Sequence, residues 1–267
     1  MNNIFDIKRF GNYFLYDLRR AKNNFGLSLL IMGLIPVILY VVYLLLSLLS
    51  GKGVNLMPDA MKFAGVLAVL FVVIFGAGAK MYGFVTEKRA GSDFLMLPAS
   101  TTEKWLSLVL MVCIVLPVVF FVLLLLSDGL MSLIFPNTYG NRLLDPGFTR
   151  DMLSGMLDED GVGLNLPALL FCSWCENILA FTLGALCFKR AKVAKTLLCL
   201  FVFGMVLSTL LVITSGTSHI DTDRLMTFFD NPDTALSFVN WTINIIYALI
   251  IGGLLWGTWY RLRTIKH

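Results

Sequence analysis

Six stretches of this chain are too long and too apolar for the interior of a water-soluble domain: 25–50, 61–84, 105–127, 166–188, 196–214 and 238–260. A helix needs roughly 20 apolar residues, rising about 1.5 Å each, to cross the hydrocarbon core of a bilayer. The fifth run is the shortest, and the others clear that length comfortably. Of the 267 residues, 58% are hydrophobic and only 14% charged, where soluble domains carry about 25% charged residues. The expected fold class is therefore an all-α polytopic membrane protein with six transmembrane helices. It forms a single transmembrane domain over residues 1–267, without an internal repeat or a separate soluble unit.

Residues 1–24 precede the first run and read as an interfacial amphipathic helix. Ile4, Ile7, Phe14, Leu15 and Leu18 share one face, with Phe10 at its edge; Lys8, Arg9, Asn12, Arg19 and Arg20 lie on the other. That pattern suits a helix lying in the headgroup region of an anionic leaflet. No cleavable leader is expected, because the first apolar run is too long for an h-region and lacks a small-residue cleavage site. Pro36 and Pro117 fall inside runs, where they are expected to kink a helix.

Charge sets the expected orientation. If the N-terminus is inside, sixteen of the 21 Lys and Arg residues lie inside, all of them in 8–22, 80–104, 189–195 and 261–266. Acidic residues run the other way, eleven outside and five inside, and Glu176 alone lies within a run. The positive-inside rule then puts both termini in the cytoplasm. It puts the polar stretch 85–104 there too, between the second and third runs. The outer segment after the third run is long and acidic, and short amphipathic pieces at 130–135, 152–157 and 224–229 are expected to lie on the outer surface. Trp241, Trp256, Trp259, Tyr260 and Tyr82 read as interfacial anchors. Gly76-Ala-Gly-Ala79 and the pair Gly253 and Gly257 read as close helix contacts.

Catalytic chemistry finds little support. There is no G-x-x-x-x-G-K-[ST] phosphate loop. His219 and His267 are the only histidines; one falls in an outer loop and the other is the last residue, which leaves no pair for a metal and no nucleophilic dyad at the membrane. Cys172 and Cys175 are spaced C-x-x-C, but no second pair or nearby histidine completes a zinc set; the five cysteines read as packing residues. The chain is expected not to be an enzyme, and to need no metal or cofactor. Glu176 and Asn177 form a candidate intramembrane polar site, since an acid at that depth is costly unless it faces the bundle interior, pairs or stays protonated. A cargo or proton site and a protonated carboxyl bonded to Asn177, Asn244 or Thr182 are equally open readings.

The stretch 85–104 carries the other constellation. Glu87, Lys88, Arg89 and Asp93 flank a short apolar turn at 94–97, and Pro98 follows. Ser100-Thr-Thr-Glu103 is a capping box that should start the third helix sharply. Phe94-Leu-Met-Leu-Pro-Ala-Ser-Thr-Thr-Glu-Lys104, together with Leu183-Gly-Ala-Leu-Cys-Phe-Lys-Arg190 and Lys195-Thr196, resembles patches in small members of the ABC-2-type permeases. These are the membrane subunits of bacterial ATP-binding-cassette exporters. The resemblance implies six spans, cytoplasmic termini and residence in the bacterial inner membrane. It implies a separate ATP-binding subunit as partner, a homodimer or a heterodimer with a second permease, and no nucleic acid. It also implies a coupling element in the loop, built from Glu87, Lys88, Arg89, Phe94, Leu95, Leu97, Pro98 and Ala99. The long outer loop departs from the family's pattern. A proton-coupled secondary transporter using Glu176, and a non-transporting scaffold or immunity protein, are the alternatives.

Overall fold

The computed structural model describes residues 5–51, 53, 55–87, 91, 94, 96–143, 166–217 and 232–265. Within helices, the side chains of 166–168, 211, 212, 214–217 and 232–240 are not described. The described residues contain helices, turns and loops but no strand. Among the described residues, five helices are long and apolar enough to cross a membrane, or six if the bent pair 7–33 and 35–49 counts as one span. The chain is thus an α-helical membrane protein. The pieces at 152–157 and 224–229 lie outside the described residues.

The order follows the apolar runs. Helix α1 (Ile7–Ala21) passes through a π-helical turn (Lys22–Gly26) into α2 (Leu27–Gly33). Asp6 caps it by accepting from the Lys8 amide at 2.9 Å. At Leu34 the chain bends by 47° into α3 (Ile35–Leu49). Pro36 sits in the first turn of α3, where a missing N–H is harmless while the ring prevents the preceding helix from continuing straight. Helix α4 (Asp59–Tyr82) ends in a 3-10 turn (Gly83–Thr86). Helix α5 (Thr101–Leu110) passes through a second π turn (Met111–Val115) into α6 (Leu116–Ile134). Then come α7 (Leu166–Cys187), α8 (Lys192–Thr217) and α9 (Pro232–Thr264).

Pro117, expected to kink its helix, lies inside residues 101–134, which form one continuous candidate span. The π turn just before it supplies the reason. The Leu116 amide reaches back to the Met111 carbonyl, and this wider turn leaves room where a proline ring would otherwise strike the carbonyl four residues earlier. Residues 130–134, expected on the outer surface, are the last turns of α6.

Helix α7 is the core of the bundle. More than half of its apolar window (56%) is buried, against 6% for the windows of α8 and α9. It packs on α4, α8 and α9, and two glycines set the approach. A Cβ on Gly78 of α4 would stand 2.8 Å from the Thr182 Cα, and one on Gly184 of α7 would stand 1.8 Å from the Thr196 Oγ1 of α8. Small residues are what allow backbones so close. Gly78 belongs to the small-residue cluster 76–79 singled out above, whereas Gly76 and Gly253 have no such contact.

At the end far from α1, residues 135–143 fold back over the helices. The Tyr139 hydroxyl donates to Asp128 at 2.6 Å, and the Leu143 amide donates to its other oxygen at 2.9 Å. Lys62 donates to Asp59 at 2.9 Å and to the Asn141 carbonyl at 3.2 Å, with its ammonium 4.4 Å from the Tyr139 ring centre. These buried polar groups are matched to partners, as burial requires.

Candidate functional site

At the other end, α1, the turn after α4, and the start of α5 meet in a polar node. The expected separate interfacial helix is not what forms: α1 runs on through the π turn into α2 as one helical stretch from Ile7 to Gly33, and the side it turns inward is not the apolar stripe. Tyr13 and Asp17, four residues apart and so on one face, are buried, while Ile7, Leu15 and Leu18 remain exposed. Of the apolar face, Phe14 packs on the core; of the polar face, Arg9 and Arg20 are half-buried against the protein while Lys8, Asn12 and Arg19 are exposed.

That polar face makes three attachments. Arg9 donates to both oxygens of Glu103, at 2.6, 2.9 and 3.1 Å. The Asp6 amide donates to Glu103 as well, at 3.0 Å. Asp17 accepts from the Tyr82 hydroxyl at 2.8 Å and the Ser107 hydroxyl at 2.7 Å, joining α1 to α4 and α5. The Arg20 guanidinium lies 3.3 Å from the Phe84 ring centre, a cation–π contact. Tyr82, expected as an interfacial anchor, is thus buried: its hydroxyl is an internal donor, because Asp17 faces it.

The capping box forms as its spacing predicts. The Glu103 amide donates to Ser100 Oγ at 3.3 Å, and the Glu103 carboxylate accepts from the Ser100 amide at 2.8 Å. Glu103 therefore serves two masters, the start of α5 and Arg9 of α1. It is fully buried.

The loop of 85–104 is seated on this node. Lys104 donates to the Phe94 carbonyl at 2.7 Å, and its ammonium is 4.9 Å from the Phe94 ring centre. Phe94 packs edge-on to Phe84 at 5.9 Å. Gly91, Phe94 and Met96 have helical backbone. Of the residues singled out for coupling, Phe94 and Ala99 are buried, Leu97 is half-buried, and Glu87 and Pro98 are exposed. Lys88, Arg89 and Leu95 lie outside the described residues. Met96 is 80% exposed between buried Phe94 and Ala99, so the seated loop turns this apolar side chain outward. Glu87 stands 3.8 Å from Lys192 at the start of α8, and Lys192 also bonds the Gly83 carbonyl.

Glu176 and Asn177 lie on α7, both half-buried. Asn177 donates to the Ser173 carbonyl at 2.9 Å, and Thr182 to the Ile178 carbonyl at 2.6 Å, both within the same helix. Neither they nor Asn244, which is exposed, serves as the cross-helix partner considered for Glu176. Glu176 makes no hydrogen bond or ion pair with another described residue.

Arg9, Asp17, Tyr82 and Ser107 were not singled out as site residues in the sequence. Their partners are 65 to 94 residues away, and no local spacing encodes such a pairing. The faint local signal is Asp17 itself, an acid among the basic residues of an interfacial helix. No protein-family model, curated protein or solved structure matches this chain.

Proposed function

We propose that this chain is the permease subunit of an ATP-binding-cassette exporter, moving its cargo with ATP hydrolysed by a separate subunit. It sits in a bacterial inner membrane with both termini in the cytoplasm, the side to which sixteen of its 21 basic residues fall. Two permease subunits, identical or paired with a second permease, would rock between inward- and outward-facing states as the ATPase dimer closes.

The single observation that carries this reading is the mounting of residues 94–99. Met96 is presented outward while Phe94 and Ala99 on either side are buried. Pressure on such an element is transmitted rather than absorbed. From Phe94 it reaches Lys104, and through the Ser100–Glu103 cap it reaches the first turn of α5. Through Glu103 and Arg9 it reaches α1. A flexible solvated connector would dissipate the same push.

The test is recovery of the ATPase. The tagged chain, purified from mild-detergent membranes, should bring down a Walker-motif ATPase. Met96→Asp, and charge reversal at Glu87, Lys88 and Arg89, should cut that recovery several-fold while leaving the elution profile of the permease unchanged. Absence of any ATPase, or recovery indifferent to these changes, refutes the proposal.

The half-buried Glu176 on the core helix, without a partner among the described residues, favours a second reading: a proton-coupled transporter. That reading requires transport driven by a pH gradient without ATP and abolished by Glu176→Gln.

A further inference from the structure

A second feature of the α1 end is independent of the ATPase reading. A groove of about 610 Å³ runs down the outside of the bundle between α1–α2 on one wall and α5–α6 on the other, with Met81 of α4 at its back. Its walls are hydrocarbon almost throughout, from Phe25 and Leu29 to Met111, Val119 and Leu123. The exceptions are Arg19 and Lys22, both exposed and both at the α1 end. They are three residues apart and so share a face. Among the described residues, no acidic side chain lines the groove.

The dimensions match one leaflet. The α5–α6 wall runs from Met111 to Leu123, which at about 1.5 Å per residue is roughly 18 Å. Half of a hydrocarbon core about 30 Å thick is roughly 15 Å. Leu27, Leu30 and Val119 on its rims are exposed, so the groove opens sideways toward lipid. Both π turns, at 22–26 and 111–115, contribute wall residues. A π turn widens a helix locally and often marks a binding site; here one stands on each wall.

We propose that this groove binds one anionic phospholipid, its phosphate held by Arg19 and Lys22 and one acyl chain laid along the apolar walls. An apolar trough one leaflet deep, with two cations at one end and no acid, is complementary to such a lipid. A neutral lipid would leave the two cations unmatched, and a free anion would leave the trough empty.

Native mass spectrometry of the full chain in detergent tests this, with phosphatidylglycerol and phosphatidylcholine of equal chain length added in turn. The wild-type chain should retain phosphatidylglycerol in preference by roughly 10–30-fold, taking about a factor of five for each basic residue at an anionic headgroup. Arg19→Ala with Lys22→Ala should erase the preference. Val119→Trp, which fills the trough and keeps both cations, should reduce retention of both lipids. Thermal unfolding midpoints matching wild type confirm that the variants are folded. Equal retention of the two lipids by the wild-type chain overturns the proposal. So does displacement of the lipid by inorganic phosphate alone, which would mark a bare anion site. Unchanged retention in Val119→Trp also overturns it, showing attraction to the basic surface of α1 rather than seating in the groove.

Discussion

Replacing Asp17 by alanine strips the acceptor from two hydroxyls at once, and this makes it the sharpest test of the node. Asp17 is 4% exposed and accepts from Tyr82 and Ser107, both of which are buried. A buried donor left without an acceptor costs about 1–3 kcal/mol, so two cost roughly 2–6 kcal/mol. Relief from burying a carboxylate acts against this, which places the expected loss near the lower end, about 2–3 kcal/mol. At roughly 2–4 °C per kcal/mol for a chain of this size class, the midpoint should fall by about 5–10 °C. The assay is thermal unfolding of the detergent-solubilised chain, followed by loss of the monodisperse elution peak. Asp17→Asn, which keeps an oxygen acceptor, should lose markedly less. The decisive variant combines Asp17→Leu, Tyr82→Phe and Ser107→Ala: with no polar group left to satisfy, most of the stability should return. If Asp17→Ala unfolds within a degree of wild type, or the triple variant is worse than the single, the node does not hold α1 in place.

Glu103→Gln should loosen α1, read as faster amide hydrogen exchange across residues 7–17. Gly184→Ala should cost about 1–3 kcal/mol by overpacking, because its new Cβ meets the Thr196 side chain, and Thr196→Ala should restore part of the loss. Ala191 has a left-handed φ of 51° between α7 and α8; Ala191→Gly should raise the unfolding midpoint by an amount equivalent to about 0.5–1 kcal/mol.

The helices were legible in the sequence because each apolar run states its own length and needs no partner to be recognised. Helix ends were legible where they are built from neighbours, as Ser100 and Glu103 cap α5 three residues apart. Pro36 announced a bend for the same local reason. At Pro117 the helix stays continuous over 101–134, with a π turn just before the ring, a local feature that the proline alone does not announce.

The amphipathic character of α1 was readable, but which side would face the protein was not. Helical periodicity put Arg9 and Arg20 opposite an apolar stripe, among lipid headgroups. Only the tertiary structure decided that they point inward, since Glu103 and Phe84 are waiting there from a segment some 64 to 94 positions along the chain. The same holds for Tyr82, whose environment depends on Asp17, and for Met96, whose exposure follows from Phe94 being held by Lys104. A local pattern determines what each segment can become, because hydrophobicity and caps act over a few residues. Which polar group meets which is settled by packing, because those contacts exist only once distant segments are brought together.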